Sequence, residues 1–264
     1  HYEFNKLTGT FDCITVNQIP RMVKPLEFNI WRAPADNDRN IANAWRQAGY
    51  DRIMTRVYET TVSSELGRTT IRCNMAIHAI QIQHILDIDA AWTIHGDGSL
   101  DVNIHAIRNT ELPFLPRFGL RLFLPEEYRQ VSYLGYGPYE SYIDKHQASS
   151  FGRFTDTVDN MYVDYIKPQE HGSRFGCESV TLTSPVHGRL TVSSARPFSF
   201  QASAYTQEEL TEKRHNYELE KAAATVLCLD YKMSGVGSNS CGPALAEKYQ
   251  LNEKEINFSI HCAF

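Results

Sequence analysis

The chain has 264 residues, of which 42% are hydrophobic and 22% charged, and it carries a net charge of −5. That length supports a substantial core, built as one large all-β domain or two small ones. The acidic balance argues against a phosphate-binding surface and so against nucleic acid as a partner, and no apolar run approaches the roughly 18 residues of a membrane helix, which argues against a membrane partner.

In chain order, the first distinctive stretch is Trp31-Arg32-Ala33-Pro34-Ala35-Asp36-Asn37-Asp38. It suits neither a strand nor a helix interior. Asp and Asn after Pro are turn-formers that bond their own backbone. Hard cations also take such oxygens, but calcium loops space their ligands at alternate positions and end on a bidentate Glu. Three consecutive side chains therefore predict a turn and no metal. A short helix is expected over 41–48, directly after it.

The clearest local signal is a hairpin over 92–105, WTIHGDGSLDVNIH, where apolar residues alternate on both sides of a Gly-rich turn. Phe118, Leu120, Leu122 and Leu124 alternate in the same way, and shorter apolar runs recur at 190–192, 198–204, 224–229 and 256–262. Thr206 with Glu209 has the spacing of a capping box ahead of the helix-forming run QEELTEKRH. His78, His84, His95 and His105 sit in strand-like segments and are read as surface or locally bonded residues. Many short strands with few helices predict an antiparallel sandwich or barrel. No linker or repeat divides 1–264, so a single domain is expected.

Three further stretches are too polar and turn-rich to be simple strand: 133–144 (YLGYGPYESYID), 161–174 (MYVDYIKPQEHGSR) and 233–243 (MSGVGSNSCGP). In the first two, Tyr mixes with Glu, Gln, His and Arg. Aromatic faces with planar hydrogen-bonding groups suit a sugar ring, and they equally suit a buried polar network tying loops to a sheet. The third is neither a phosphate loop nor a dinucleotide fingerprint, and reads as a mobile or tightly turning loop. Cys241 within it has no His nearby in sequence and reads as a non-catalytic thiol. The six cysteines, Cys13, Cys73, Cys177, Cys228, Cys241 and Cys262, show no CxxC spacing. Mostly free, buried thiols are expected, consistent with the cytoplasm. The chain starts at His1 without a signal peptide and in an apparent strand, so it reads as a piece of a longer polypeptide.

Together these motifs resemble the C-terminal domain of β-galactosidases of glycoside hydrolase family 2. The resemblance is carried by Arg32-Ala33-Pro34 with Asp36-Asn37-Asp38, by Leu134-Gly135-x-Gly137-Pro138-x-Glu140-x-Tyr142-x-Asp144, by Met161-Tyr162 through Pro168-x-Glu170-x-Gly172-x-Arg174, and by Gly235-x-Gly237. It implies an antiparallel β-supersandwich, galactose-mutarotase-like, with no cofactor. It also implies that the two carboxylates of a retaining glycosidase come from an upstream TIM-barrel domain or large subunit. This domain would then border the galactoside pocket with its loops, placing Asn37, Asp38, Asn239 and Cys241 as substrate-binding candidates. Two positions depart from the resemblance: Cys241 stands at an aromatic position, and Asn40 at a Gly position, where it is expected to stiffen a hinge. Two other readings stay open: a free-standing mutarotase or epimerase using Glu170 and His171, which would point to opposite faces of a strand, and a sugar-binding module with Tyr136, Tyr139, Tyr162 and Tyr165 as its platform.

Overall fold

The computed structural model describes residues 1–237 and 242–264. Among them the strands are β1 (Tyr2–Asn5), β2 (Thr10–Val16), β3 (Ile19–Pro20), β4 (Lys24–Asn29), β5 (Met54–Glu65), β6 (Arg68–Ala79), β7 (Ile82–His95), β8 (Leu100–Arg108), β9 (Arg117–Leu124), β10 (Gln130–Gly137), β11 (Ser150–Thr157), β12 (Arg174–Ser184), β13 (Gly188–Ser203), β14 (Thr225–Met233) and β15 (Glu255–Ala263). Two short α-helices join them, α1 (Ile41–Gln47) and α2 (Gln207–Glu212). The architecture is the all-β, antiparallel one expected.

Local chemistry sets the hairpins. β7 and β8 pair with Trp92 opposite Val102 and Ile94 opposite Leu100, and the turn between them closes on Gly98 at φ +86°. β5 and β6 pair as far as Glu65 opposite Arg68. The intervening Leu66 and Gly67 both adopt positive φ, the geometry a two-residue hairpin turn needs to match strand twist.

The large sheet runs β11-β10-β12-β13-β15-β8-β7-β6-β5 and branches at β13. Thr191 to Ser193 of β13 pair with β15, while Ser199 to Ser203 pair with β14. β14 continues to β9, and β9 to β4. The runs at 190–192 and 198–204, read from sequence as separate, are thus one strand shared by two layers, ending at Ser203. A long strand that changes partners partway lets an antiparallel sheet turn a corner over its own core.

Between the layers lies one large apolar cluster, including Trp92, Phe118, Leu120, Leu122, Phe200, Leu227 and Leu229. The small sheet β1-β2-β3 closes its edge through Phe11, whose ring lies edge-on to Trp92 at 5.4 Å. Alternation along β9, β13 and β14 sends Arg117, Arg121, Gln201, Cys228 and Asp230 to the opposite face, yet Arg117, Gln201, Cys228 and Asp230 are buried as well. Loops cover that face, and the candidate site is built there.

Thr206 caps α2 as expected, its hydroxyl accepting from the Glu209 amide at 3.1 Å. The helix stops at Glu212, short of the full helix-forming run. There the Glu218 carboxylate takes the Arg214 and His215 amides at 3.0 and 2.8 Å and starts a separate turn.

β9 and β14 meet so closely that a Cβ at Gly119 would fall 2.0 Å from the Leu229 carbonyl oxygen. Backbone cannot yield as a side-chain tip can. Gly119→Ala is expected to cost more than about 2 kcal/mol, read as a lower urea midpoint; an unchanged midpoint would show that the two strands can separate freely.

Candidate functional site

The opening stretch leaves β4 and forms a 3-10 turn over Asp36–Asp38. As read from sequence, it is a turn held by its own polar groups: the Asp38 amide donates to the Ala35 carbonyl at 2.9 Å, and the Ala35 amide donates to the Asp38 carboxylate at 2.9 Å. The three polar side chains diverge. Asp36 is exposed, Asn37 turns to the Val236 carbonyl at 2.7 Å, and Asp38 turns inward. Asp38 is only 4% exposed, and its two oxygens take Arg32 at 2.7 and 3.1 Å. Arg32 is fully buried, with its guanidinium 5.3 Å from the Trp45 ring centre. It also donates to the carbonyls of Ser234 and of Gly235, the latter at 2.9 Å. Asn40 has φ −83° and ψ −46° at the start of α1. This is ordinary right-handed geometry, which any residue adopts.

The stretch 133–144 leaves the end of β10, and Glu140 becomes a junction. Its carboxylate accepts from Lys145 and from the Tyr165 hydroxyl, each at 2.6 Å, and from the Gly172 amide at 3.0 Å. Burial works against its charge, but these donors outweigh burial and hold Glu140 below the usual carboxylate range. Gly172 has φ +70°, and a Cβ there would meet the Met161 carbonyl at 2.6 Å, so the turn requires glycine. Farther on, Asp144 accepts the Val236 amide at 3.0 Å and the Gly237 amide at 2.7 Å.

The third stretch bonds back to the first. The Glu170 amide donates to the Ala33 carbonyl, and the Asp36 amide donates to the Gln169 side chain, both at 2.9 Å. The four polar stretches therefore close a ring. The first holds the fourth through Arg32 and Asn37, the fourth holds the second through Asp144, the second holds the third through Glu140, and the third returns to the first. A cleft of about 230 Å³ opens beside it, lined by Asn37, Asp38, Asn40, Phe114, Gly235 and Leu245 among others.

Beneath the ring lies a charged floor on β9, β13 and β14. Arg117 grips Asp230 with two bonds, 3.0 and 2.6 Å, and reaches Glu170 and Gln201 at 3.3 Å each. Gln207 at the start of α2 bonds Gln201 at 3.1 Å, and Arg121 bonds Gln207 at 2.8 Å. The Gln201 amide donates to the His171 carbonyl. Burial pushes Glu170 up from 4.5 to about 7 against the pull of Arg117 and Arg32, and its second oxygen has no partner. Burial pulls the His171 imidazole below its ordinary value.

Glu170 and His171 were expected to alternate on a strand. They instead lie in an irregular segment and are both buried, at 3% and 2% exposure. The tyrosines do not form one surface. Tyr136 packs with His146, Phe151 and Phe175, Tyr162 packs on His171 and Tyr205, Tyr165 turns to Glu140, and Tyr139 is 64% exposed. Cys13, Cys73, Cys177, Cys228 and Cys262 are free thiols, all buried but Cys13. Asn239 and Cys241 lie outside the described residues. The floor residues Arg117, Gln201 and Asp230 were missed in the sequence; their one signal is a polar side chain at every second position of an otherwise apolar strand.

The fold is an antiparallel β-architecture with a polar face sealed by bonded loops. The chain belongs to the family described as beta galactosidase small chain, whose family model matches residues 1–262. It is 46% identical over 263 residues to a beta-galactosidase of Actinobacillus pleuropneumoniae and 36% identical over 263 residues to one of Staphylococcus xylosus. Each comparison takes in 100% of this chain and 26% of the relative, so the chain spans about a quarter of the length of those relatives. Among solved structures it is similar to a TPR-domain containing protein from Parabacteroides distasonis, with TM-score 0.49 and 9% identity over 97% of this chain and 44% of that one. It is also similar to a GalM/aldose epimerase homologue from C. elegans, with TM-score 0.40 and 8% identity over 99% of this chain and 79% of that one.

A folded Glu170 keeps its proton to about pH 7, whereas the unfolded chain releases it near 4.5. The folded state therefore binds the extra proton between these values, and stability falls as pH rises through that window. The loss reaches up to about 3 kcal/mol. Thermal unfolding should show the wild type losing more stability between pH 5 and 7.5 than Glu170→Gln; parallel curves would rule out Glu170 as the source.

Proposed function

We propose that residues 1–264 form the non-catalytic C-terminal domain of a β-galactosidase and that the ring borders its substrate pocket. The whole enzyme hydrolyses terminal β-D-galactosides such as lactose with retention, through two carboxylates about 5 to 5.5 Å apart on a TIM barrel upstream or in a large subunit. The observation that carries this reading is the ring itself. Four stretches scattered over the chain meet as one polar rim on a rigid sheet, in a sequence whose relatives are named beta-galactosidase and extend far beyond it.

Four acids of the ring and its floor support a non-catalytic role. Asp38 is bound by Arg32, Glu140 by Lys145 and Tyr165, Asp144 by two amides, and Asp230 by Arg117. Glycosidase carboxylates must face a sugar, and these face the protein. A mutarotase asks Glu170 and His171 to reach an anomeric hydroxyl, but both are buried. A binding module asks for a shared tyrosine platform, and the ring tyrosines engage separate neighbours. On this reading Asn37 and Asp38 shape the lip at the sugar, together with Asn239 and Cys241. The free thiols fit the cytoplasm.

The 264-residue chain alone should not hydrolyse a nitrophenyl galactoside above the buffer rate; hydrolysis at enzyme-like rates would end this reading. In the full-length enzyme, Asn37→Ala removes one hydrogen bond to the Val236 carbonyl. It is expected to lower kcat/KM about fivefold, and unchanged kinetics would reduce the stretch to a simple turn.

A further inference from the structure

The backbone of residues 234–237 is answered group by group, and its partners divide by polarity. The Ser234 amide donates to the Pro116 carbonyl at 2.9 Å, and the Gly235 amide to the Tyr249 carbonyl at 2.8 Å. The carbonyls of Ser234 and Gly235 accept from Arg32, and that of Val236 accepts from Asn37. The amides of Val236 and Gly237 both donate to one carboxylate, Asp144. The opening stretch thus takes carbonyls of this segment, and Asp144 takes its last two amides from another direction.

The two glycines fit this arrangement through space. Neither sits at left-handed φ. A Cβ on Gly235 would lie 2.5 Å from the Asp144 carboxyl carbon, and one on Gly237 would lie 2.7 Å from its Oδ2. Side chains at these positions would evict the carboxylate from beneath the amides. The Gly-x-Gly pattern and Asp144, 92 residues apart in sequence from Val236, are therefore two halves of one device.

We propose that Asp144 is a positioning residue for the substrate pocket: it clamps 234–237 against Arg32 and Asn37 and so sets the height of the rim. This rests on the reading that the ring borders the pocket. Asp144 does not touch the reacting atoms, and its loss acts through the segment it holds. Asn keeps one acceptor oxygen and turns an NH2 group toward an amide that needs an acceptor, so Asp144→Asn gives only partial rescue relative to Asp144→Ala.

The test has two arms. In the 264-residue chain, hydrogen exchange at the Val236 and Gly237 amides should rise at least tenfold in Asp144→Ala. In the full-length enzyme the same change should raise KM about tenfold, with kcat within twofold and Asp144→Asn between. Gly237→Ala supplies a second approach from the other side of the contact. It should loosen the segment in wild type and add little in the Asp144→Ala background, where the Cβ has room. Unchanged exchange, or fully additive effects of the two substitutions, would overturn the clamp. Raised exchange with an unchanged KM would leave the clamp standing, and would overturn both its link to substrate and the pocket-lip reading.

Discussion

A guanidinium with no access to water must find acceptors within the protein, and Arg32 is in that position. It meets the need with the carboxylate of Asp38 and the carbonyls of Ser234 and Gly235. One side chain therefore both folds the turn beside it and ties that turn to a segment near the far end of the chain. Without Arg32, Asp38 would be a buried charge without a counter-ion and two carbonyls would lose their donors. The rest of the ring is arranged around this necessity.

A second buried arginine organises the floor. Arg117 is bound most tightly by Asp230 and shares its remaining capacity between Glu170 and Gln201. Burial works against its charge, but Asp230, with Cys228 and Glu170, holds it well above its ordinary value. Glu170 is left as the less satisfied acid, with one weaker contact and an oxygen facing no donor. Its raised affinity for a proton follows from that arrangement. With Glu170 protonated, Arg117 and Asp230 balance each other; with Glu170 ionised, the three groups carry one uncompensated negative charge.

How much of this was legible in the sequence depended on how local the cause was. Pro34 followed by Asp36, Asn37 and Asp38 carried its own turn chemistry, and the hairpin at Gly98 carried its own φ requirement. Thr206 carried its own cap. The partnership of Arg32 with Ser234, 202 residues away, had no local signature. Gly235 and Gly237 looked like turn or mobility signals because composition does not say what approaches a glycine; here it is a carboxylate. Arg117 and Asp230 had no sufficient local signature either, because alternation alone does not say whether the second face of a strand is covered. The four stretches are legible together through the family resemblance, but the bonds that join them are not.

The branching of β13 and the long spans of the ring bear on the order of folding. The bonds from the opening stretch to 234–237 bridge 199 to 203 residues. Such contacts return nothing until the intervening chain has been drawn together, and the entropic cost of that closure comes first. During synthesis, Asp38 is at hand from the start, but almost the whole domain must emerge before the two carbonyl acceptors of Arg32 exist. The finished rim is thus a statement that the chain has been completed as far as Gly237, and a truncated product has no route to assembling it.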